Sequence, residues 1–198
     1  MRKTLLFSIG LIMAGMLQAH IQKGDIQLGG SVSFSSQEFS GQDRNFFSIA
    51  PRAGFFLSDL TALGFATSFT TTTNTFTDTQ GNEVDLTNNL FQFGVFMRFH
   101  KTVIDNLYLY LEPGINIGTG KNDLPNGGES DISAFIVSVS PGMTYFLSDK
   151  FALEMRFGSL AYNRQKMEFT GGEITDNAFG LSMSLQNVGL GLNYFIRK

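Results

Sequence analysis

Apolar and polar residues alternate with a period of two along most of this chain, and few folds accept that pattern. The stretch from Val188 to Lys198 shows it plainly. Val188, Leu190, Leu192, Tyr194 and Ile196 fall on one side, Gly189, Gly191, Asn193 and Phe195 on the other. Successive side chains of an extended strand point to opposite faces, so such a segment presents one apolar face and one small or polar face. A helical period would mix the two sets. The pattern recurs about eight times, in a chain with 22 glycines, which weaken helices, and 21 phenylalanines, which favour strands.

The segments run in order. The first spans about Asp25 to Phe39 and the second about Arg44 to Leu57, ending at a Ser58-Asp59 turn. The third covers about Leu60 to Thr73. A polar loop from Asn74 to Asn89 precedes the fourth, Phe91 to His100, and Asp105-Asn106 turns the chain into the fifth, Leu107 to Ile117. Thr119 to Asp131 is rich in Gly, Asn and Asp and reads as loop. The sixth, Phe135 to Leu147, turns at Ser148-Asp149-Lys150 into the seventh, Ala152 to Gly158. A loop from Asn163 to Asn177 leads to the eighth, whose phase changes near Gln186-Asn187, where a β-bulge is expected. Short and longer connections therefore alternate. Phe56-Leu57-Ser58-Asp59 recurs as Phe146-Leu147-Ser148-Asp149, each after a proline, Pro51 or Pro141.

The N-terminus reads as an export signal. Met1-Arg2-Lys3 is basic, Leu5 to Leu17 is apolar and uncharged, and Ala19 is small enough for cleavage. Residues 1–19 are thus expected to be a cleavable signal peptide and 20–198 one domain. The apolar run is short for a spanning helix, which needs about 20 residues. The chain has no cysteine, which excludes a disulfide scaffold and thiolate metal sites. A formal net charge of −3 with no basic stripe argues against nucleic acid as a partner.

One face of the segments is almost purely Phe, Leu, Ile, Val and Met. Exposed to water, so continuous an apolar surface is untenable. The charges Arg52, Arg98, Glu112, Glu154 and Arg156 share the opposite face with Gly and Ser. Charge facing lipid is expensive, about 2–4 kcal/mol for Arg or Lys at the midplane, so the charged face belongs inside. A sheet in hydrocarbon must close on itself to pair its backbone. The expected fold is all-β, an eight-stranded antiparallel up-and-down transmembrane β-barrel. At eight strands the bore is filled by side chains.

The signal peptide, the alternating strands, the repeated Phe-Leu-Ser-Asp turns and the closing Gly-Leu-Asn-Tyr-Phe strand make the chain similar to the OmpA/OmpX-like small outer-membrane β-barrel proteins. The resemblance implies a monomeric barrel with an anchoring, adhesive or defensive role. It implies tight periplasmic turns, longer external loops, periplasmic termini and export by the general secretory route. Outer-membrane lipid and lipopolysaccharide, and the barrel-assembly machinery during insertion, are the implied partners. One departure stands out: Arg197 and Lys198 follow Tyr194-Phe195-Ile196, where such chains often end on an aromatic residue. No peptidoglycan-binding domain is read after the barrel, so an anchoring role of that type is not implied.

The interior set, Arg52, Arg98, Arg156, Glu112 and Glu154 with Tyr108 and Tyr110, reads as a structural plug of paired charges in preference to an ion or proton path. The external loops carry Asp78, Glu83, Asp85, Asp123, Glu129, Asp131, Glu168, Glu173 and Asp176. They read as a solvated rim in preference to a divalent-cation bridge, and no EF-hand spacing is present. His100 has no serine and acid at catalytic spacing, and with His20 it makes no zinc motif. Gly118-Thr119-Gly120-Lys121 fails as a phosphate loop, since Ile115 stands where Gly is required and Asn122 where Ser or Thr is required. Phe47, Phe99, Tyr145 and Tyr194 are candidate interfacial aromatics. No cofactor is implied. The sequence therefore favours a non-enzymatic, closed outer-membrane barrel with a structural or surface-interaction role. The alternative is a narrow pore, or an OmpW-like conduit for small apolar solutes. An acyl-modifying barrel enzyme and a soluble ligand-binding barrel are weaker rivals.

Overall fold

The computed structural model describes residues 20–39, 42–77, 81–124, 128–183 and 189–198. They form ten antiparallel strand segments: β1 (Ile26–Phe39), β2 (Gln42–Ser58), β3 (Thr61–Thr77), β4 (Glu83–Ile104), β5 (Leu107–Asp123), β6 (Glu129–Phe146), β7 (Phe151–Arg156), β8 (Gly158–Phe169), β9 (Gly172–Met183) and β10 (Gly189–Ile196). Each strand pairs with its neighbour from β1 through β6. Then β6 pairs with both β7 and β8, β7 pairs with β10, and β10 returns to β1. The sheet is therefore a closed up-and-down barrel. The expected signal peptide and the expected bulge at Gln186-Asn187 lie outside the described residues.

Ten segments replace eight strands because the seventh strand is broken at Phe157 and the eighth is described in two pieces, β9 and β10, on either side of residues 184–188. Between the pairs Val139↔Leu160 and Gly142↔Arg156, β6 contributes two residues and the facing strand three. The extra residue makes a β-bulge, and Gly158 there takes φ 144°, which side-chain-bearing residues rarely adopt. Pro141 stands opposite. Its carbonyl accepts from the Phe157 N–H at 3.1 Å, while its ring has no N–H to return. The alternation confirms the shift: Glu154 and Arg156 turn inward before the bulge, Leu160 and Tyr162 outward after it.

The longer connections correct the sequence reading. Expected loops at 74–89, 119–131 and 163–177 are largely paired strand. β3 and β4 remain in register to Thr77↔Glu83, β5 and β6 to Asp123↔Glu129, and β8 and β9 to Phe169↔Gly172 around a Thr170-Gly171 turn. The polarity of these segments masks their strand character. Threonines are β-branched, and theirs bond across the ladder: Ser48 to Thr70 at 3.0 Å, Thr71 to Asn89 at 2.8 Å and Thr75 to Asp85 at 2.6 Å.

The two ends differ. The end with both termini has short turns, and the opposite end has the long hairpins. Phe34, Phe65, Phe93, Ile117 and Leu192 lie exposed on the outer face, whereas Phe56, Ala62, Arg98, Tyr110, Thr144 and Phe195 are buried inside. The strands that carry these residues thus place their faces as the alternation requires, whereas residues 172–182 of β9 and 31–38 of β1 are exposed on both faces.

Candidate functional site

The interior is built in layers. Nearest the termini lies an aromatic layer. Phe146 and Phe195 stack with centroids 4.8 Å apart, Phe56 lies 5.4 Å from the His100 ring, and Tyr108 meets Phe146 edge-on at 5.7 Å. Ile21 seals the layer from the N-terminal side, 4% exposed. These residues come from six parts of the chain, and the inward phase of β2, β4, β5, β6 and β10 brings them to one level. His100 serves here as a ring among rings, packed against Phe56, Tyr108 and Tyr110.

A layer of charge lies directly above. Arg98 is fully buried and reaches both carboxylates. Its Nη1 and Nη2 donate to Glu154 at 2.7 and 3.0 Å, and its Nε donates to Glu112 at 2.7 Å. Arg52 donates to Glu154 at 3.2 Å and also to Glu112. Arg156 donates to Glu112 at 3.2 Å and approaches Glu154 at 3.7 Å. Neutral donors complete Glu154: Asn193 at 2.7 Å, Tyr110 at 3.0 Å and Gln27 at 3.3 Å. Two carboxylates thus collect three guanidiniums. Such mutual pairing is what permits ions this far from water.

Aromatic faces cover the guanidiniums. Arg98 lies 4.0 Å above the Tyr110 ring and Arg52 4.3 Å above Phe96. The rings need room, and glycine supplies it. A Cβ on Gly142 would fall 2.3 Å from Tyr110 Cζ, and one on Gly64 would fall 2.4 Å from Phe96 Cζ. The structure therefore unites Arg52, Arg98, Glu112, Glu154, Arg156 and Tyr110. Tyr108 departs from that set: it belongs to the aromatic layer, its hydroxyl 3.5 Å from His20 Nδ1. Sequence reasoning missed Gln27 and Asn193, although both occupy inward positions in the alternation.

Beyond the charges, towards the hairpins, lies a chamber of about 470 Å³. Its walls include Ala50, Ala66, Asn116, Ser138 and Ala161, and its floor is Arg52, Glu112, Glu154 and Arg156. Higher still, Ser68 donates to Gln92 at 3.0 Å across the inside of the wall.

The acidic residues expected in loops stand mostly on paired strand. Lys121 meets Glu129 at 2.6 Å, and Lys166 meets Glu168 at 2.7 Å and Glu173 at 2.6 Å. Those glutamates hold both ammonium groups above the usual lysine range. Asp85 accepts from Thr75, and Asp123 accepts from the Thr87 N–H at 3.0 Å. Glu83, Asp131 and Asp176 are exposed, and Asp78 lies outside the described residues. Among the described residues, no three acidic or histidine side chains converge on a metal position. Phe47, Phe99 and Tyr194 are exposed, Tyr145 is half-buried, and Tyr194 packs on Phe151 at 5.1 Å.

A second basic contact ties the end of β10 to the segment before β1. Arg197 donates to the fully buried Asp25 and to the His20 carbonyl, and its Nε reaches the Asp149 carbonyl at 2.8 Å.

Comparison with known proteins agrees with this architecture. Residues 5–194 match the family model described as outer membrane protein beta-barrel domain. The crystal structure of the outer membrane protein OprG from Pseudomonas aeruginosa is similar with a TM-score of 0.60 at 9% identity, covering 92% of this chain and 100% of that chain. That of Neisserial surface protein A gives a TM-score of 0.49 at 17% identity, covering 86% of this chain and 95% of that chain. No curated protein matches the chain. The OprG likeness concerns the fold alone.

Proposed function

This chain belongs to the outer membrane protein β-barrel family, and we propose that within the outer membrane it acts as a closed barrel whose role is structural or lies in surface interaction. The observation that carries this reading is the double filling of the bore. Among the described residues buried rings fill the bore at the terminal end, and the charge layer above them engages every oxygen of Glu112 and Glu154. An ion crossing would have to strip a guanidinium from its partners and then pass among buried rings. That is a poor conduction path.

In this reading the terminal end faces the periplasm and the long hairpins face outward, presenting a stiff polar surface to the surroundings. Their neighbours are outer-membrane lipid and lipopolysaccharide, with the barrel-assembly machinery acting during insertion after export by the secretory route. The protein works as a monomer and performs no catalysis.

Orientation is tested with single cysteines, which the sequence otherwise lacks. Thr170→Cys, in a hairpin turn, should react with a membrane-impermeant maleimide on intact cells. Lys150→Cys, in a turn at the terminal end, should react only after permeabilisation. The opposite pattern would remove the outward hairpins and the reading built on them.

A further inference from the structure

Among the described residues the wall of the barrel is not uniformly paired. β1 pairs with β10 only over residues 26–30, ending at Gly30↔Leu192. From residue 31 onward β1 keeps its ladder with β2, and among the described residues none joins it to β9 or β10. Val32 and Phe34, on that stretch, are 67% and 76% exposed, the largest values among the large apolar residues of β1.

A slot of about 450 Å³ lies on the outer face where the pairing ends. Val32, Ile49, Pro51, Leu153, Leu190 and Leu192 line it, all apolar. The slot and the inner chamber share four lining residues: Gly30, Ser31, Leu190 and Gly191. The two spaces therefore abut at the end of the ladder, one inside the wall with charge at its floor and the other apolar and outside it, with Gly30, Ser31, Leu190 and Gly191 between them.

The chamber floor is short of negative charge. Three guanidiniums face two carboxylates. Arg98 is committed and inaccessible, but the Arg156 side chain is 40% exposed. The Nε atoms of both Arg52 and Arg156 are buried with no hydrogen-bond partner. A buried charged donor without an acceptor is unfavourable, so an added carboxylate would gain where the protein alone leaves a deficit.

We infer that chamber and slot form one binding site for a single-chain amphiphile with a carboxylate head, the head against Arg156 and the alkyl chain passing between β1 and β10 into the membrane. The inference goes beyond the closed-barrel reading and rests on it for the membrane placement and the sealed floor. The site holds its ligand from the side and above without opening a path to the terminal end. The two halves are complementary: the slot offers one hydroxyl, Ser31, among apolar side chains, and the chamber floor offers the guanidiniums.

The absence of tryptophan allows a direct test. Leu190→Trp places a reporter in the slot, and Ile115→Trp places a control on the outer face of β5. Each variant is refolded into phosphatidylcholine vesicles and titrated with 9,10-dibromostearate. Saturable quenching of the L190W reporter, exceeding that of I115W, is expected, with no such excess from the methyl ester. Arg156→Gln in the L190W background should raise the half-saturating concentration about tenfold or more, the loss of one charge-assisted contact. Should that variant fail to fold, competition on L190W alone decides: stearate should relieve the quenching and stearyl alcohol should not. Equal, unsaturating quenching at both positions would overturn the site, as would competition by the alcohol equal to that of the acid. A conducting barrel would instead overturn the closed-bore reading, and bilayer recordings report that independently of quenching.

Discussion

Arg98 and Glu154 meet side by side, Nη1 to Oε2 at 2.7 Å and Nη2 to Oε1 at 3.0 Å, on strands whose residues stand 56 positions apart. Arg98 has no exposed surface, so this bidentate pair is shielded from water. The energetic meaning lies in asymmetry: removing one partner strands the other. Glu154→Gln should destabilise the folded barrel by about 3–5 kcal/mol in denaturant titrations read by heat-modifiable gel mobility. The paired change Arg98→Met with Glu154→Gln should cost clearly less than the sum of the two single changes. Additive losses would mean that the contact does not couple these residues.

Arg197 and Asp25 join the last strand to the segment before the first at the terminal end of the barrel, and here too the order of effects is diagnostic. Asp25 is fully buried while the Arg197 side chain is 21% exposed. Arg197→Ala leaves a buried carboxylate unpaired, whereas adding Asp25→Asn removes that charge. The double variant should therefore unfold at a higher denaturant concentration than Arg197→Ala alone. The reverse ranking would show that this contact does not stabilise closure.

Tyr110 lies over Gly142, and the space is already full. Gly142→Ala would bring a methyl group within 2.5 Å of the Met155 carbonyl and closer still to the ring. Backbone cannot yield as a flexible side chain does, so refolding yield should fall sharply. Gly180→Ala, where a Cβ meets nothing within 4 Å, should refold like the parent and serves as the control.

The hairpin lysines predict a pH response with a fixed sign. Lys121 and Lys166 bind their protons more tightly when folded, chiefly through hydrogen bonds to Glu129 and to Glu168 and Glu173. A raised folded pKa gives stability that is present below the ordinary lysine value of 10.5 and lost as pH rises through the folded value. Both ammonium groups are solvent-exposed, so the effect is small. Hydrogen exchange at the hairpin ends should be unaltered by Lys166→Ala from pH 6 to 9, beyond the intrinsic exchange rate. A large loss of protection in that range would assign the pair a structural role it is not expected to have.

The alternation reveals most of this fold because each strand has one lipid-type and one interior face, and a slip by one residue would invert them. Arg52, Arg98, Glu112 and Glu154 were therefore legible as interior charges without any structure. Their pairing was not, since it depends on which residues share a level around the barrel, and strand stagger sets that. Tyr108 illustrates the limit: two residues from Tyr110 and on the same face, it falls one layer lower among the rings. The hairpins were misread for a different reason. Thr70 to Thr75 and Asn163 to Lys166 carry polar residues on both faces, so the apolar half of the pattern is missing there. The Phe157 bulge escaped because one extra residue in a Phe-Gly-Ser stretch has no distinctive signature. The end of the β1–β10 ladder leaves no mark in local sequence at all.

The central claim is that the aromatic and charged layers together close the bore, and planar-bilayer recording of the refolded protein tests it most directly. Folding is first confirmed by heat-modifiable mobility. The account predicts a silent membrane, and silence again in Arg156→Gln, because the ring layer beneath remains intact. Discrete, stable openings in the parent protein, altered by Glu112→Gln or Arg156→Gln, would contradict it and make the charge layer a gate.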